Sequence, residues 1–272
     1  MIAGGGPLPG RVAAAAVAAG RPVFIVALDG FADPDVIAPF SHATSRLGAA
    51  GRTIALLRDN WCEDIVIIGP VRRPSLLHLR PDAEGARLLA RIGVAAFGGD
   101  DGFLAAIVRV LGDEGFRVLG AHEVLAELLS GPGLLSQAAA DVDALRDIRR
   151  GVAVLHALGA VDVGQACVVQ QGIVLAVEAI EGTDAMLARA AGLARPGPGG
   201  VLVKLLKPGQ DRRADMPTIG PATLDAAAAA RLRGVAFEAG GTLLTDRAGC
   251  ISRADHAGLF LLGIDPNAGD TE

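Results

Sequence analysis

Short, nearly unbroken apolar runs recur along the first half of the chain, each followed by a longer stretch in which alanine and leucine mix with polar residues. PVFIVALDG (22–30), DIVIIGP (64–70) and FRVLG (116–120) are too short for helices and end in Gly or Pro. They predict strands buried on both faces, because a half-exposed strand would alternate apolar and polar positions. MIA (1–3) is a further short strand, and helices are expected near 8–20 and 101–113. Strands alternating with helices predict a parallel sheet covered on both sides, a Rossmann-like domain over residues 1–130. In such sheets ligands collect at the carboxyl ends of the strands.

The pattern breaks at SGPGLLSQAAAD (130–141), where Gly, Pro and Ser predict a linker over 131–140. A second α/β domain, expected to be the catalytic one, then occupies 141–272. DALRDIRRGVAVLHALG (143–159) has helical periodicity, and ACVVQQGIVLAVEA (166–179) predicts two strands around a tight Gln-Gln-Gly turn. That hairpin makes the second sheet mixed. A helix (184–194), a strand (201–206), a helix (221–232) and the strand GLFLLGID (258–265) complete the prediction.

Composition narrows the function classes. Hydrophobic residues are 51% of the chain, yet none of its apolar runs approaches the roughly 18 residues of a membrane span. The first ten residues, interrupted by Gly and Pro, do not read as a leader peptide, so a cytoplasmic protein is expected. A net charge of −5, the absence of Tyr and a single Trp argue against a nucleic-acid surface. Cys62, Cys167 and Cys250 are too scattered for a zinc knuckle or a disulfide framework.

Four segments carry candidate chemistry. In AGGGPLPG, Gly4, Gly5 and Gly6 stand between a strand and a helix, where backbone amides can approach a phosphate. Asp29 ends the second strand, near where a dinucleotide fold places its ribose-binding acid, although the third fingerprint glycine is missing. Asp100 and Asp101 precede a helix; an N-cap explains them as well as contact with a cation or a hydroxyl. Glu178, Glu181, Thr183 and Asp184 sit where a strand gives way to a helix, and serve equally as caps or as oxygen ligands for a hard cation.

The fourth segment is VLVKLLKPGQDRRADMPTIG (201–220). It holds Lys204 and Lys207, the only lysines in a chain whose other 23 basic residues are arginine. Lysine supplies a compact point charge on a flexible stem, arginine a rigid planar fork. Asp215, after this cationic loop, is placed to hold a metal-bound water or to accept its proton. The histidines are scattered, with His122 after a predicted strand, and neither a nucleophile elbow nor an H-E-x-x-H motif occurs.

In order along the chain, IAGGGPLP, SRLGAAGRTIALLR, GPVRRPS, GGDD, GAHEVL, AVDVGQACVVQQGIVLAVEAIEGTDAML and KPGQDRRADMPTIG resemble the UDP-2,3-diacylglucosamine pyrophosphatases of the LpxI type, enzymes of lipid A biosynthesis in Gram-negative bacteria. The resemblance implies two α/β domains with the ligand between them. It also implies a divalent-metal-dependent hydrolysis giving UMP and 2,3-diacylglucosamine 1-phosphate (lipid X). The family's catalytic aspartate belongs to a D-L-P-T-I-G motif, which here is Asp215 in DMPTIG, with Met216 in place of Leu.

On this reading Asp215, Glu181 and Asp184 are expected around Mg²⁺ or Mn²⁺. Lys207, Gln210, Thr183 and Thr218 would hold phosphate oxygens, with Asp100, Asp101 and Gly4–Gly6 approaching from the first domain. The expected partners are the UDP-lipid, its two products, the cytoplasmic face of the inner membrane and a second copy of the chain. Two other classes compete: an oxidoreductase using the Gly4–Gly6 turn and Asp29, and a non-catalytic carrier of UDP-sugars or lipids.

Overall fold

A computed structural model describes residues 1–71, 81–92 and 100–268. The chain divides into two compact units. One comprises Met1–Ala126 with Asp211–Asp215, the other Glu127–Gln210 with Met216–Glu272.

In the first unit, β1 (Ile2–Ala3), β2 (Phe24–Leu28), β3 (Ser41–Ser45), β4 (Asp64–Ile68) and β5 (Arg117–Leu119) form one sheet in the order β3-β2-β1-β4-β5. Every pairing is parallel. Between them run α1 (Leu8–Ala18), α2 (Pro34–Ile37), α3 (Ala50–Asp59), α4 (Ala83–Ile92) and α5 (Asp100–Asp113), and α6 (Ala121–Val124) follows β5. The order reverses between β1 and β4, so the doubly wound sheet expected from the sequence has its crevice at the Gly4–Gly6 loop. Val26, Ile65 and Val118 from the sheet, and Ile54, Leu57, Leu111 and Phe116 around it, make one buried cluster.

In the second unit, β6 (Gly133–Leu134), β7 (Ala166–Gln170), β8 (Ile173–Val177), β9 (Val201–Lys204), β11 (Gly234–Glu238) and β13 (Phe260–Ile264) are ordered β6-β13-β11-β9-β7-β8. The middle three strands are parallel; β6, β7 and β8 run antiparallel to their neighbours. Two more strands, β10 (Thr218–Ile219) and β12 (Leu243–Leu244), pair apart from that sheet. On β9 the side chains alternate between two cores. Leu202 joins a cluster with residues of α8 (Gly182–Ala191), α9 (Pro221–Ala229) and α10 (Arg247–Ala257). Val201 and Val203 instead meet Ile148 and Leu155 of α7 (Val142–Gly159).

The β7–β8 hairpin is the one predicted. Gln171 and Gly172 both have positive φ, 54° and 75°, as the tight turn matched to strand twist requires. The carboxylate of Asp147, only 1% exposed, accepts the amides of Gln171 and Gly172 at 3.1 and 2.7 Å. The 131–140 stretch, expected as a linker, is stitched into the second sheet: β6 pairs with β13, and Ser136 Oγ accepts the Leu261 amide at 2.7 Å. Gly and Pro suit a two-residue edge strand as well as they suit a tether.

Candidate functional site

The carboxyl end of β9 gathers the charged groups of the second unit. Lys204 is its last residue and is 5% exposed. Its Nζ donates to Thr183 Oγ1 at 2.7 Å, and that hydroxyl donates onward to Glu178 Oε1 at 2.7 Å. Glu178 is 7% exposed, and its second oxygen is buried without a hydrogen bond. Burial pushes the Lys204 ammonium below its ordinary pKa, while the charges of Glu178 and Asp184 oppose that fall. A lysine, a hydroxyl and a carboxylate are thus wired in series under the start of α8. Thr183 was expected to touch substrate, but in this structure its hydroxyl is committed at both ends.

Past β9 the chain turns at Pro208–Gly209, with Gly209 at φ 81°. Lys207 Nζ pairs with Asp162, whose own backbone is left-handed at φ 54°. Gln210 is buried; its Oε1 accepts the Lys207 amide at 3.0 Å and its Nε2 donates to Gln165 at 3.3 Å. Glu238, ending the neighbouring β11, accepts the Leu206 amide at 2.9 Å and so fixes the entry to the turn. Neither Asp162 nor Glu238 was singled out from the sequence. Each acts on this loop from a distant part of the chain, and local pattern carries no signal of that.

Glu181 accepts from Arg189 at 2.7 Å and from the Ala179 amide at 3.2 Å. Its own amide and the Arg189 guanidinium hold its carboxyl below the usual range. Asp184 is exposed in the first turn of α8. Thr218 is exposed on β10.

Asp215 lies in a segment that packs with the first unit. Ala214 joins the buried cluster around Phe116. The Arg212 carbonyl stands so close to Gly120 that a Cβ there would sit 3.1 Å from it. Within the segment, Asp211 O accepts the amides of Ala214 and Asp215 at 3.1 and 2.9 Å. The Arg213 guanidinium forks onto both Asp211 oxygens at 2.9 and 2.7 Å, holding that carboxyl below its usual range. Asp215 is therefore presented, half-buried, by a tight and internally paired turn. Its own carboxylate, like that of Asp184, accepts no hydrogen bond among the described residues. His122 lies against Gly120 in the same unit; burial lowers its pKa, Glu123 opposes this and Arg212 adds to it.

At the Gly4–Gly6 loop, the Gly4 and Gly5 amides already donate to Ile68 O and Pro70 O at 2.8 and 3.0 Å. A Cβ on Gly4 would lie 2.5 Å from Gly69 O, so close backbone packing requires this glycine. That leaves fewer free amides than a dinucleotide-binding turn needs. Asp100 and Asp101 open α5, and their side chains lie outside the described residues. Among the described residues no three His, Cys, Asp or Glu side chains gather around a common metal position.

Two α/β units, the second with a hydroxyl, carboxylates and both lysine ammonium groups gathered around the carboxyl end of β9, are the build of an enzyme that works on an anionic substrate. Comparison with known proteins supplies the family. Residues 1–128 match the LpxI N-terminal domain and residues 131–262 the LpxI C-terminal domain. The chain is 42% identical over 272 residues to the UDP-2,3-diacylglucosamine pyrophosphatase LpxI of Caulobacter vibrioides, covering 98% of this chain and 97% of that relative. The chain belongs to the LpxI family, and it is an enzyme of the pyrophosphatase kind.

Proposed function

We propose that the chain hydrolyses the pyrophosphate of UDP-2,3-diacylglucosamine, releasing UMP and 2,3-diacylglucosamine 1-phosphate. The observation that carries the reading is the identity of 42% across 98% of the chain with a relative of that name. Cleaving a phosphoric anhydride requires charge neutralisation at the phosphate oxygens and a water held in line with the leaving group. Asp215 is proposed as the group that orients this water and takes its proton, because its carboxylate is displayed on a braced turn and is not consumed by internal bonds. Lys207, which pairs with Asp162, is proposed to bring its positive charge to the phosphate oxygens, Gln210 holding the loop backbone beneath it.

The proposed cation is Mg²⁺ or Mn²⁺, which would neutralise phosphate charge and acidify a bound water. Hard cations of this size take one or two carboxylates and keep several waters. Asp215 and Asp184 each carry a carboxylate with no hydrogen bond among the described residues, whereas Glu181 is engaged by Arg189. The decisive experiment incubates the protein with UDP-2,3-diacylglucosamine and either cation and measures UMP. Asp215→Ala should lower turnover by at least about a thousandfold with the melting temperature unchanged. Full activity in that variant would overturn the assignment of Asp215, and activity undiminished by a strong chelator would remove the cation.

A further inference from the structure

The carboxyl ends of β2 and β3 frame a cleft of about 390 Å³ lined by Asp29, Thr44, Arg46, Ala49, Arg52 and Asp82, a size suited to a small ligand. The strand register explains its composition. Leu28 pairs with Ser45, and the Asp29 amide donates to Ser45 O at 2.9 Å. Asp29 and Arg46 are thus the first residues past the last rung of two adjacent parallel strands.

Asp82 is already used. It accepts the amides of Gly51, Arg52 and Gly85 at 3.3, 3.3 and 2.6 Å, so it stands where an anion would otherwise sit at the start of α3. Arg52 Nε donates to Thr44 O at 3.3 Å, which fixes the direction of its fork and leaves its terminal nitrogens uncommitted. Arg46 and Asp29 differ from most charged residues of this unit. Arg21, Arg58, Arg87, Arg91 and Arg117 all form ion pairs. Neither Arg46 nor Asp29 makes a side-chain hydrogen bond or ion pair among the described residues, and they do not pair with each other, although the Arg46 charge acts at longer range on Asp82 and helps hold that carboxyl below its usual range. Two guanidinium groups and one uncommitted carboxylate facing a common cleft match a ligand that offers an anion and a diol together.

We infer that this cleft binds the ribose-phosphate portion of a nucleotide, with Arg46 and Arg52 on the phosphate and Asp29 on the ribose hydroxyls. This rests on the proposed hydrolysis of a UDP-linked substrate, which supplies such a group twice: as the UDP moiety of the substrate and as the UMP product.

The test titrates UMP into the wild-type protein, Arg46→Ala and Asp29→Asn by calorimetry, and repeats the wild-type titration with 2′-deoxyuridine monophosphate. Because Arg46 and Asp29 are exposed and unbonded, both variants should melt like the wild type. Arg46→Ala is expected to weaken UMP binding by about tenfold or more. Asp29→Asn should abolish the preference for UMP over the deoxy compound. UMP binding unchanged in Arg46→Ala, or a deoxy compound bound as tightly as UMP, overturns the cleft.

Kinetics on the UDP-lipid separate the two sources. A raised KM at constant kcat in Arg46→Ala assigns the cleft to the substrate's UDP moiety, and lost UMP inhibition at constant KM assigns it to the released product. If the wild type produces no UMP from the lipid, the hydrolase reading fails, while the UMP titrations still decide the cleft.

Discussion

Lys204 is the residue whose environment does most to define the second unit. A charged ammonium costs several kcal/mol to bury without compensation, and here the compensation runs through one hydroxyl to a carboxylate with an orphaned oxygen. Lys204→Met should therefore destabilise the fold by about 2–3 kcal/mol, because it leaves the Glu178 charge buried alone. Lys204→Met combined with Glu178→Leu should recover most of that loss in urea unfolding, and strictly additive losses would show that the two charges do not communicate. The pH dependence has a definite sign. The folded-state pKa of Lys204 lies below its ordinary value of 10.5, so the unfolded chain holds this proton more tightly. The cost is full below the folded pKa and fades as pH rises toward 10.5, and stability should climb more steeply with pH there in the wild type than in the double variant. Among candidate site residues, the sequence made the lysine pair legible as unusual. It did not reveal that one ammonium is a buried strut and the other a loop anchor, since Thr183 and Asp162 reach them from 21 and 45 positions away.

At the scale of elements, α3 shows what local pattern can and cannot reveal. Its apolar spacing is readable, with Ile54 and Leu57 on the buried face, but its start has no capping side chain of its own. The cap is Asp82, some 30 positions on, and Gly51 and Gly85 lie so near its carboxylate that added Cβ atoms would crowd it at 3.1 and 2.9 Å. Burial alone would raise the Asp82 pKa, but the amides of Gly85, Gly51 and Arg52 outweigh it and the net shift is downward. This stabilisation is present above the ordinary carboxylate range and is lost as pH falls through the folded value. Asp82→Ala should cost about 1 kcal/mol at neutral pH, with the difference from wild type shrinking in unfolding series carried to pH 3. A difference constant across that range would remove Asp82 as the cap. The buried strands β2, β4, β7, β9 and β13 and the hairpin were legible because burial on both faces and the Gln-Gly turn leave strong local marks, whereas the equally buried central strand β11 (GVAFE) was missed. β3, with the sequence SHATS, was not: it is a largely exposed polar edge strand whose identity comes from pairing with β2. α10 was missed for a similar reason, since only Cys250 and Ala254 of its eleven residues are buried.

For the molecule as a whole, the least legible fact was that Asp211–Asp215 folds with the first unit although 84 residues of the second separate it from Ala126. A five-residue return of this kind is decided by contacts such as Ala214 with the Phe116 cluster. The proposed substrate adds a demand on the whole surface, since a diacylated sugar resides in a bilayer. No described helix is long and apolar enough to cross one, and a net charge of −5 works against attraction to anionic headgroups. Attachment would then rest on apolar side chains, and the second unit displays them: Ile180 is fully exposed and Val161 and Val163 are 68% and 41% exposed. Ile180 and Val163 flank one backbone crossing, where a Cβ on Gly164 would collide with the Glu178 carbonyl. Inserting a side chain of the size of Ile contributes about 1.5–3 kcal/mol, a tenfold or greater change in partitioning. Ile180→Asp should therefore lower co-sedimentation with anionic phospholipid vesicles by about tenfold, leaving hydrolysis of detergent-dispersed substrate within twofold of wild type. Raising the salt should leave wild-type binding unchanged or strengthen it, because screening weakens repulsion between like charges. Binding that falls steeply with salt, or that survives Ile180→Asp intact, would place the attachment on a basic patch elsewhere and detach it from this apolar corner.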